Sequence, residues 1–274
     1  MSHPLFDLSG RVALVTGAGG GFGGAIAAGF AQAGADLLLA DIVPESLQAT
    51  VKKVEGYGRR AVPVVCDVTD AEQIRGMFSK LDEAFGRIDV LVNVAGPAWT
   101  TIPENISLDD VTRTLNSLGV MRFYCCQEAG RRMLAQGKGS IINIGSIASV
   151  TALGRGHIAY SMGMGAVVQM TRELSTEWSS RGVRVNAILP AQVPNQGNNL
   201  IQRMEADPAL KANFLRGLPI GRLGKPEDIV GPAIFLASDA SAWVTGILLP
   251  MDGGNLAKNA GGSHPGMPNP TATL

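Results

Sequence analysis

An α/β fold in three layers, built on a doubly wound parallel sheet of seven strands, is predicted by two features of the 274-residue sequence. Short β-branched runs alternate with longer amphipathic segments, and a glycine-rich stretch joins the first such run to the first amphipathic segment. Runs of about five residues alternating with helical periodicity are the pattern of βαβ crossovers, which place helices on both faces of a parallel sheet.

Taken in order, strands are expected from Val12 to Thr16, Asp36 to Asp41, Ala61 to Cys66, Asp89 to Asn93, Ser140 to Ile144, Val183 to Ile188 and Ile247 to Met251. Between them helical periodicity runs from Phe22 to Gln32, Glu45 to Gly56, Ala71 to Phe85, Leu108 to Ala135, Ala159 to Ser180 and Pro226 to Ala237. The stretch from Gln192 to Leu223 breaks the rhythm, with Pro194, Gly197, Pro208, Gly217 and Pro219 around one short apolar helix. Ligands of open α/β sheets bind beyond the strand C-termini, so an insertion there predicts a substrate lid. Residues 1–260 read as one domain, and 261–274, rich in Gly, Pro and Thr, as an extended tail containing His264.

Composition narrows the function classes. Hydrophobic residues make up 46% and charged residues 17%, with 23 basic and 23 acidic side chains, so no bulk charge attracts a nucleic acid. No apolar run reaches the roughly 18 residues of a membrane span, and no basic leader precedes an apolar run, so a cytoplasmic location is expected. Cys66, Cys125 and Cys126 lack metal-ligand spacing and read as small buried hydrophobes; no metal is expected.

Thr16-Gly17-Ala18-Gly19-Gly20-Gly21-Phe22-Gly23 follows a strand and opens a helix, the context of a dinucleotide-binding loop. Without a Cβ, Gly17 makes the tight turn, Gly21 admits the pyrophosphate to the backbone, and Gly23 lets helix and strand pack closely. The helix N-terminus beside Phe22 attracts the negative charge. Asp41 ends the second strand 24 residues beyond Gly17, near the separation of about 20 expected of a carboxylate on the adenosine ribose. A 2′-phosphate would meet like charge there, and Ile42, Val43 and Pro44 offer no arginine, so NAD is favoured over NADP.

These residues resemble the short-chain dehydrogenase/reductase family, in the branch with a TGxxxGxG loop, here Thr16 to Gly23. The likeness runs from about residue 6 to 256 through Asp67-Val68, Asn93-Val94-Ala95-Gly96, Asn116, Ser146, Tyr160, Pro190 and Asp252-Gly253-Gly254. It implies a Rossmann fold, adenine against Asp67 and Val68, and a ribose side lined by Asn93, Ala95 and Gly96. It further implies nicotinamide between Pro190 and Val193, and a homotetramer assembled through the two long helices. Ala191 and Asn195 depart from the family's usual glycine and threonine. Leu153-Gly154-Arg155 between Ser146 and Tyr160, and the run from Gly221 to Asp228, look like the family's sugar-acid and polyol dehydrogenases.

Removing hydride from an alcohol carbon requires removing the hydroxyl proton as well, because an unassisted alkoxide is too high in energy. The resemblance gives that proton to Tyr160, the substrate oxygen to Ser146, and to Asn116 the positioning of a lysine and a water. In the family the lysine stands four residues after the tyrosine, where it binds the nicotinamide ribose and favours the phenolate. Here that residue is Met164, and no lysine occurs between Lys138 and Lys211. Gly163 departs from the usual pattern too. Alcohol oxidation is therefore expected to suffer more than carbonyl reduction. Arg155 and His157, on the loop before Tyr160, are the near sources of positive charge or a proton relay. Two readings follow: an NAD-dependent oxidoreductase interconverting a small-molecule secondary alcohol and ketone without the lysine, or an NAD-binding protein with weak or no turnover.

Overall fold

The computed structural model describes residues 3–194 and 200–258; Asn195 and the tail with His264 lie outside the described residues. Seven parallel strands form one sheet: β1 (Val12–Thr16), β2 (Asp36–Asp41), β3 (Ala61–Val65), β4 (Val90–Asn93), β5 (Gly139–Ile144), β6 (Val183–Pro190) and β7 (Leu248–Met251). Their order is β3-β2-β1-β4-β5-β6-β7, so the chain leaves β1 in one direction and returns at β4 in the other. The central strands β1, β4 and β5 are buried along their whole length, as strands covered on both faces must be.

The helices are α1 (Gly21–Gln32), α2 (Pro44–Gly56), α3 (Ala71–Phe85), α4 (Leu108–Leu115), α5 (Arg122–Gln136), α6 (Ile158–Trp178), α7 (Leu200–Ala206), α8 (Pro208–Arg216) and α9 (Val230–Ala237). Local signals set their ends. Asp70 accepts the Glu72 and Gln73 amides to start α3, and Gly86, at φ 67°, ends it. One face of the sheet packs on α1, α2 and α9 through Ile26, Phe30, Leu47 and Leu236. The other packs on α3, α5 and α6 through Met77, Phe78, Met133 and Leu174. Cys66, Cys125 and Cys126 belong to this second core. Burial pushes the Cys66 thiol up to about 11 and that of Cys126 up to about 12, and raises Cys125 as well, so all three are the inert apolar groups expected.

Three elements differ from expectation. The helix predicted from Leu108 to Ala135 is interrupted by a widened, π-helical segment at Asn116–Met121. The segment expected to form a lid carries two short helices among its described residues, α7 and α8, with Asp207 capping the second, where one was predicted. Pro226–Ile229 is a tight 3-10 turn leading into α9 and not its first turn.

The glycine loop sits where β1 and β4 lie side by side, the switch point at which open α/β sheets bind ligands. Thr16 Oγ1 accepts the amides of Val94 (3.0 Å) and Ala95 (3.2 Å), tying the ends of the two strands together. Gly17 turns at φ 67°, and a Cβ there would stand 3.2 Å from the Ala95 nitrogen. A Cβ on Gly23 would fall 2.0 Å from the Gly17 carbonyl oxygen, whereas Gly20 and Gly21 face open space. Two substitutions should therefore part ways. Gly23→Ala should cost about 1–3 kcal/mol in thermal unfolding, since backbone must shift. Gly20→Ala should unfold with the parent yet bind NADH more weakly, because only a bound pyrophosphate would meet its methyl; parental stability in Gly23→Ala would contradict this geometry.

Candidate active site

At the adenosine end, Asp41 closes β2 with its carboxylate held toward the loop, Oδ2 accepting the Gly19 amide (2.9 Å) and Oδ1 the Val43 amide (3.0 Å). Each oxygen keeps a lone pair for a further donor. Ile42 is exposed beside it. Asp67 is fixed through Oδ1, which accepts the amide and hydroxyl of Thr69 at 2.8 Å each, and Val68 stands half-buried next to it. A carboxylate with spare acceptors, a loop free of Cβ atoms at Gly20 and Gly21, and the N-terminus of α1 together fit a dinucleotide.

Ala95 and Gly96 continue from β4, and at Gly96, with φ 150°, a Cβ would lie 2.8 Å from Leu118 Cδ2. Asn93 is placed differently from the cofactor-facing position expected of it. Its side chain is 1% exposed and donates to Asn143 Oδ1 (3.0 Å); Asn143 in turn donates to Thr171 Oγ1 (3.0 Å). That amide ladder spans β4, β5 and α6, so the Asn93 side chain serves the sheet.

Beyond the ends of β5 and β6 opens a cleft of about 590 Å³ lined by Ser146, Tyr160, Gln192 and Val193 together with Arg203 of α7 and Phe214 of α8. Pro190 ends β6 at its edge. Ser146 follows β5; its Oγ accepts the Ala148 amide (3.1 Å), which leaves the hydroxyl hydrogen free to donate into the cleft. Tyr160 lies in the first turn of α6. Met164, one turn on, is 5% exposed and packs with Leu118 and Val167 in a small apolar cluster against Tyr160 and Ala98. Gly163 is explained by the same cluster, since a Cβ there would lie 2.9 Å from Leu118 Cδ1. Asn116 begins the widened segment that carries Leu118 to this contact. No lysine lines the cleft.

The structure separates the two basic residues before Tyr160. His157 packs edge-on to the Tyr160 ring, centroids 6.0 Å apart. Its Nδ1 lies 2.8 Å from the Gly154 carbonyl oxygen, which can only accept, so Nδ1 carries the hydrogen and Nε2 is the free acceptor of the neutral ring. Arg155 turns to the lid instead, its guanidinium 5.4 Å from the Phe214 ring centroid.

Arg122, Gln192, Arg203 and Phe214 are the site residues sequence reasoning missed. Arg122, at the start of α5, has its side chain buried at 3% exposure. It donates to the carbonyls of Ile144 (2.6 Å) and Ala95 (3.1 Å), with Nε unpaired among the described residues. Burial pushes its pKa down, opposed by Cys126, the Tyr160 phenol and Cys125. Gln192 Oε1 is also buried without a partner among the described residues; its place two residues after Pro190 is the one signal that points to it. Among the described residues no group of three or more His, Cys, Asp or Glu side chains gathers to hold a metal, and no helix is long and apolar enough to cross a membrane.

Comparison with known proteins gives the same picture. The family profile described as enoyl-(acyl carrier protein) reductase matches residues 17–255. D-threitol dehydrogenase of Mycolicibacterium smegmatis is 39% identical over 253 residues, covering 92% of this chain and 95% of that protein. Gluconate 5-dehydrogenase of Gluconobacter oxydans is 36% identical over 256 residues, 93% of this chain and 98% of that protein. The crystal structure of a gluconate 5-dehydrogenase from Burkholderia cenocepacia J2315, in complex with NADP and tartrate, superposes with a TM-score of 0.86 at 32% identity, covering 93% of this chain and 99% of that one. With its fold, its glycine loop and its sequence all in agreement, the chain belongs to the short-chain dehydrogenase/reductase family of oxidoreductases.

Proposed function

We propose that this chain is an NAD-dependent dehydrogenase of the TGxxxGxG branch that interconverts a secondary alcohol and a ketone on a polyol, sugar acid or related hydroxy compound. Tyr160 is the acid/base and no lysine takes part. The observation that carries the reading is the meeting of Ser146 and Tyr160 in one cleft beyond β5 and β6, at the same strand ends as a loop fit for a dinucleotide. The threitol and gluconate dehydrogenases among the relatives, and a gluconate 5-dehydrogenase structure in complex with NADP and tartrate, agree with the substrate class.

Gly17, Gly21, Phe22 and Gly23 would hold the pyrophosphate, Asp41 and Ile42 the adenosine ribose, and Asp67 and Val68 the adenine. Ala95, Gly96, Pro190 and Val193, with the backbone of Asn93, would line the nicotinamide half. The bound cofactor supplies a hydride acceptor. In oxidation Ser146 donates its free hydroxyl hydrogen to the substrate oxygen, while ionised Tyr160 takes the hydroxyl proton as the carbon gives up its hydride. His157, packed edge-on to Tyr160 with Nε2 as its acceptor, would relay that proton toward solvent. Asn116 shapes the helix that brings Leu118 onto Met164. With Met164 at the family's lysine position, buried Arg122, which interacts electrostatically with the phenol, is the positive charge this reading assigns to Tyr160.

The domain spans 1–260 with the lid inside it, and we place the protein in the cytoplasm as a homotetramer. Exposed Val120, Phe123 and Met162 on the helices flanking the cleft are the apolar surface such an assembly would cover. The dry packing of Met164 favours a second reading, cofactor binding with little turnover.

Two experiments test these points. Kinetics with NAD and NADP should show NAD preferred, and Asp41→Ala should cut that preference about tenfold or more by removing the charge that opposes the 2′-phosphate; a parent that prefers NADP contradicts the assignment. On a panel of polyols and sugar acids, oxidation should quicken as pH rises. In Met164→Lys the rise should move to lower pH by about one unit or more, because a cation favours the phenolate. Silence in the parent with activity in Met164→Lys establishes the second reading.

A further inference from the structure

The cleft is electrostatically one-sided. Arg155, His157 and Arg203 line it and no carboxylate does. No acidic side chain among the described residues pairs with either guanidinium. The acids nearest in sequence are accounted for: Glu205 stands about 200° around α7 from Arg203, and the Asp207 carboxylate accepts the Ala209 and Leu210 amides.

Arg155 has an unusual backbone. It is the one described residue other than glycine with positive φ, at 57°, between Gly154 (65°) and Gly156 (79°). A Cβ at Gly156 would come within 2.8 Å of the Thr101 backbone, so the loop is pinned from below. Left-handed backbone is costly for a side-chain-bearing residue and persists where surroundings impose it, commonly at ligand sites. Here it sends the guanidinium to the face of Phe214 on α8, while Arg203 reaches the same cleft from α7. One cation comes from the loop before α6 and one from α7, and both line the cleft that holds Ser146 and Tyr160.

We propose that Arg155 and Arg203 form a carboxylate-binding subsite, so that the substrate is a hydroxy acid whose anionic end is clamped between loop and lid and whose carbinol reaches Tyr160. The proposal rests on the dehydrogenase reading and narrows its substrate class from polyols to sugar acids. A planar guanidinium fork accepts a carboxylate through two parallel N–H···O bonds, and an unneutralised pair favours an anion over a neutral chain of the same length. Because one arginine belongs to the lid, the anion itself helps to draw the lid over the carbinol.

The test compares D-gluconate with D-glucitol, which differ in a carboxylate against a hydroxymethyl group, for binding to the full chain with NADH, followed by cofactor fluorescence and, where turnover occurs, by kcat/KM. D-gluconate should bind about tenfold or more tightly, and rising salt should weaken it and spare D-glucitol. Arg155→Ala and Arg203→Ala should each erase most of the preference with NADH affinity unchanged, and Arg155→Lys should keep part of it. Preference retained in Tyr160→Phe without turnover supports the subsite independently of the reaction. Equal affinities in a chain that oxidises D-glucitol overturn it while the dehydrogenase reading stands. Binding of neither compound overturns it, as does a preference that survives both alanine substitutions. Tighter binding of D-glucitol 6-phosphate than of D-gluconate overturns the choice of carboxylate.

Discussion

The close approach of β1 and β4 is the constraint on which the rest of the molecule depends. Thr16 Oγ1 ties the two strand ends together, Gly17 passes Ala95 with no room for ordinary side chains, and Gly23 lets α1 lie on the turn itself. These contacts leave the outer glycines facing open space. They also bring the β2 carboxylate of Asp41 to the loop, where it accepts the Gly19 amide. A crevice at the C-terminal edge of the sheet follows from strand order, but its fit to a dinucleotide follows from these few missing methyl groups.

The cleft proposed as catalytic is built on the same edge with a different balance of forces. Ser146 is set by the end of β5 and by the turn it caps, Tyr160 by the start of α6. Between α6 and the widened helix, Leu118, Gly163, Met164 and Val167 close on one another. Met164 is thus part of an apolar packing, and the basic side chains around the cleft come from other elements. Arg122 is buried below it among strand-end carbonyls, His157 stands at its rim, and Arg155 and Arg203 face it from loop and lid.

Much of this was legible because it is written in local chemistry. Strand and helix positions follow hydrophobic period, the loop follows glycine spacing, and Asp41 follows from its distance to that loop. What escaped depends on tertiary placement. The widened turn at Asn116–Met121 leaves no mark in a helical pattern that continues on either side of it. Asn93 sits at a strand end as a ligand-facing residue would, yet alternation of side chains turns it into the sheet toward Asn143. Arg122 looks solvated by charge alone, and only the fold supplies the carbonyls that let it be buried. Arg203 and Phe214 lie on two short helices whose return to the cleft no periodicity encodes.

The central claim is that the chemistry resides in Tyr160 and does without a cation four residues further on. It is tested most directly by comparing NAD-linked turnover of the parent with that of Tyr160→Phe and Met164→Leu on the best substrate of the hydroxy-acid and polyol panel. The account predicts a loss of about 100-fold or more in Tyr160→Phe, the scale of general acid–base catalysis, and a rate within a few-fold of the parent in Met164→Leu. Parental turnover in Tyr160→Phe would contradict it.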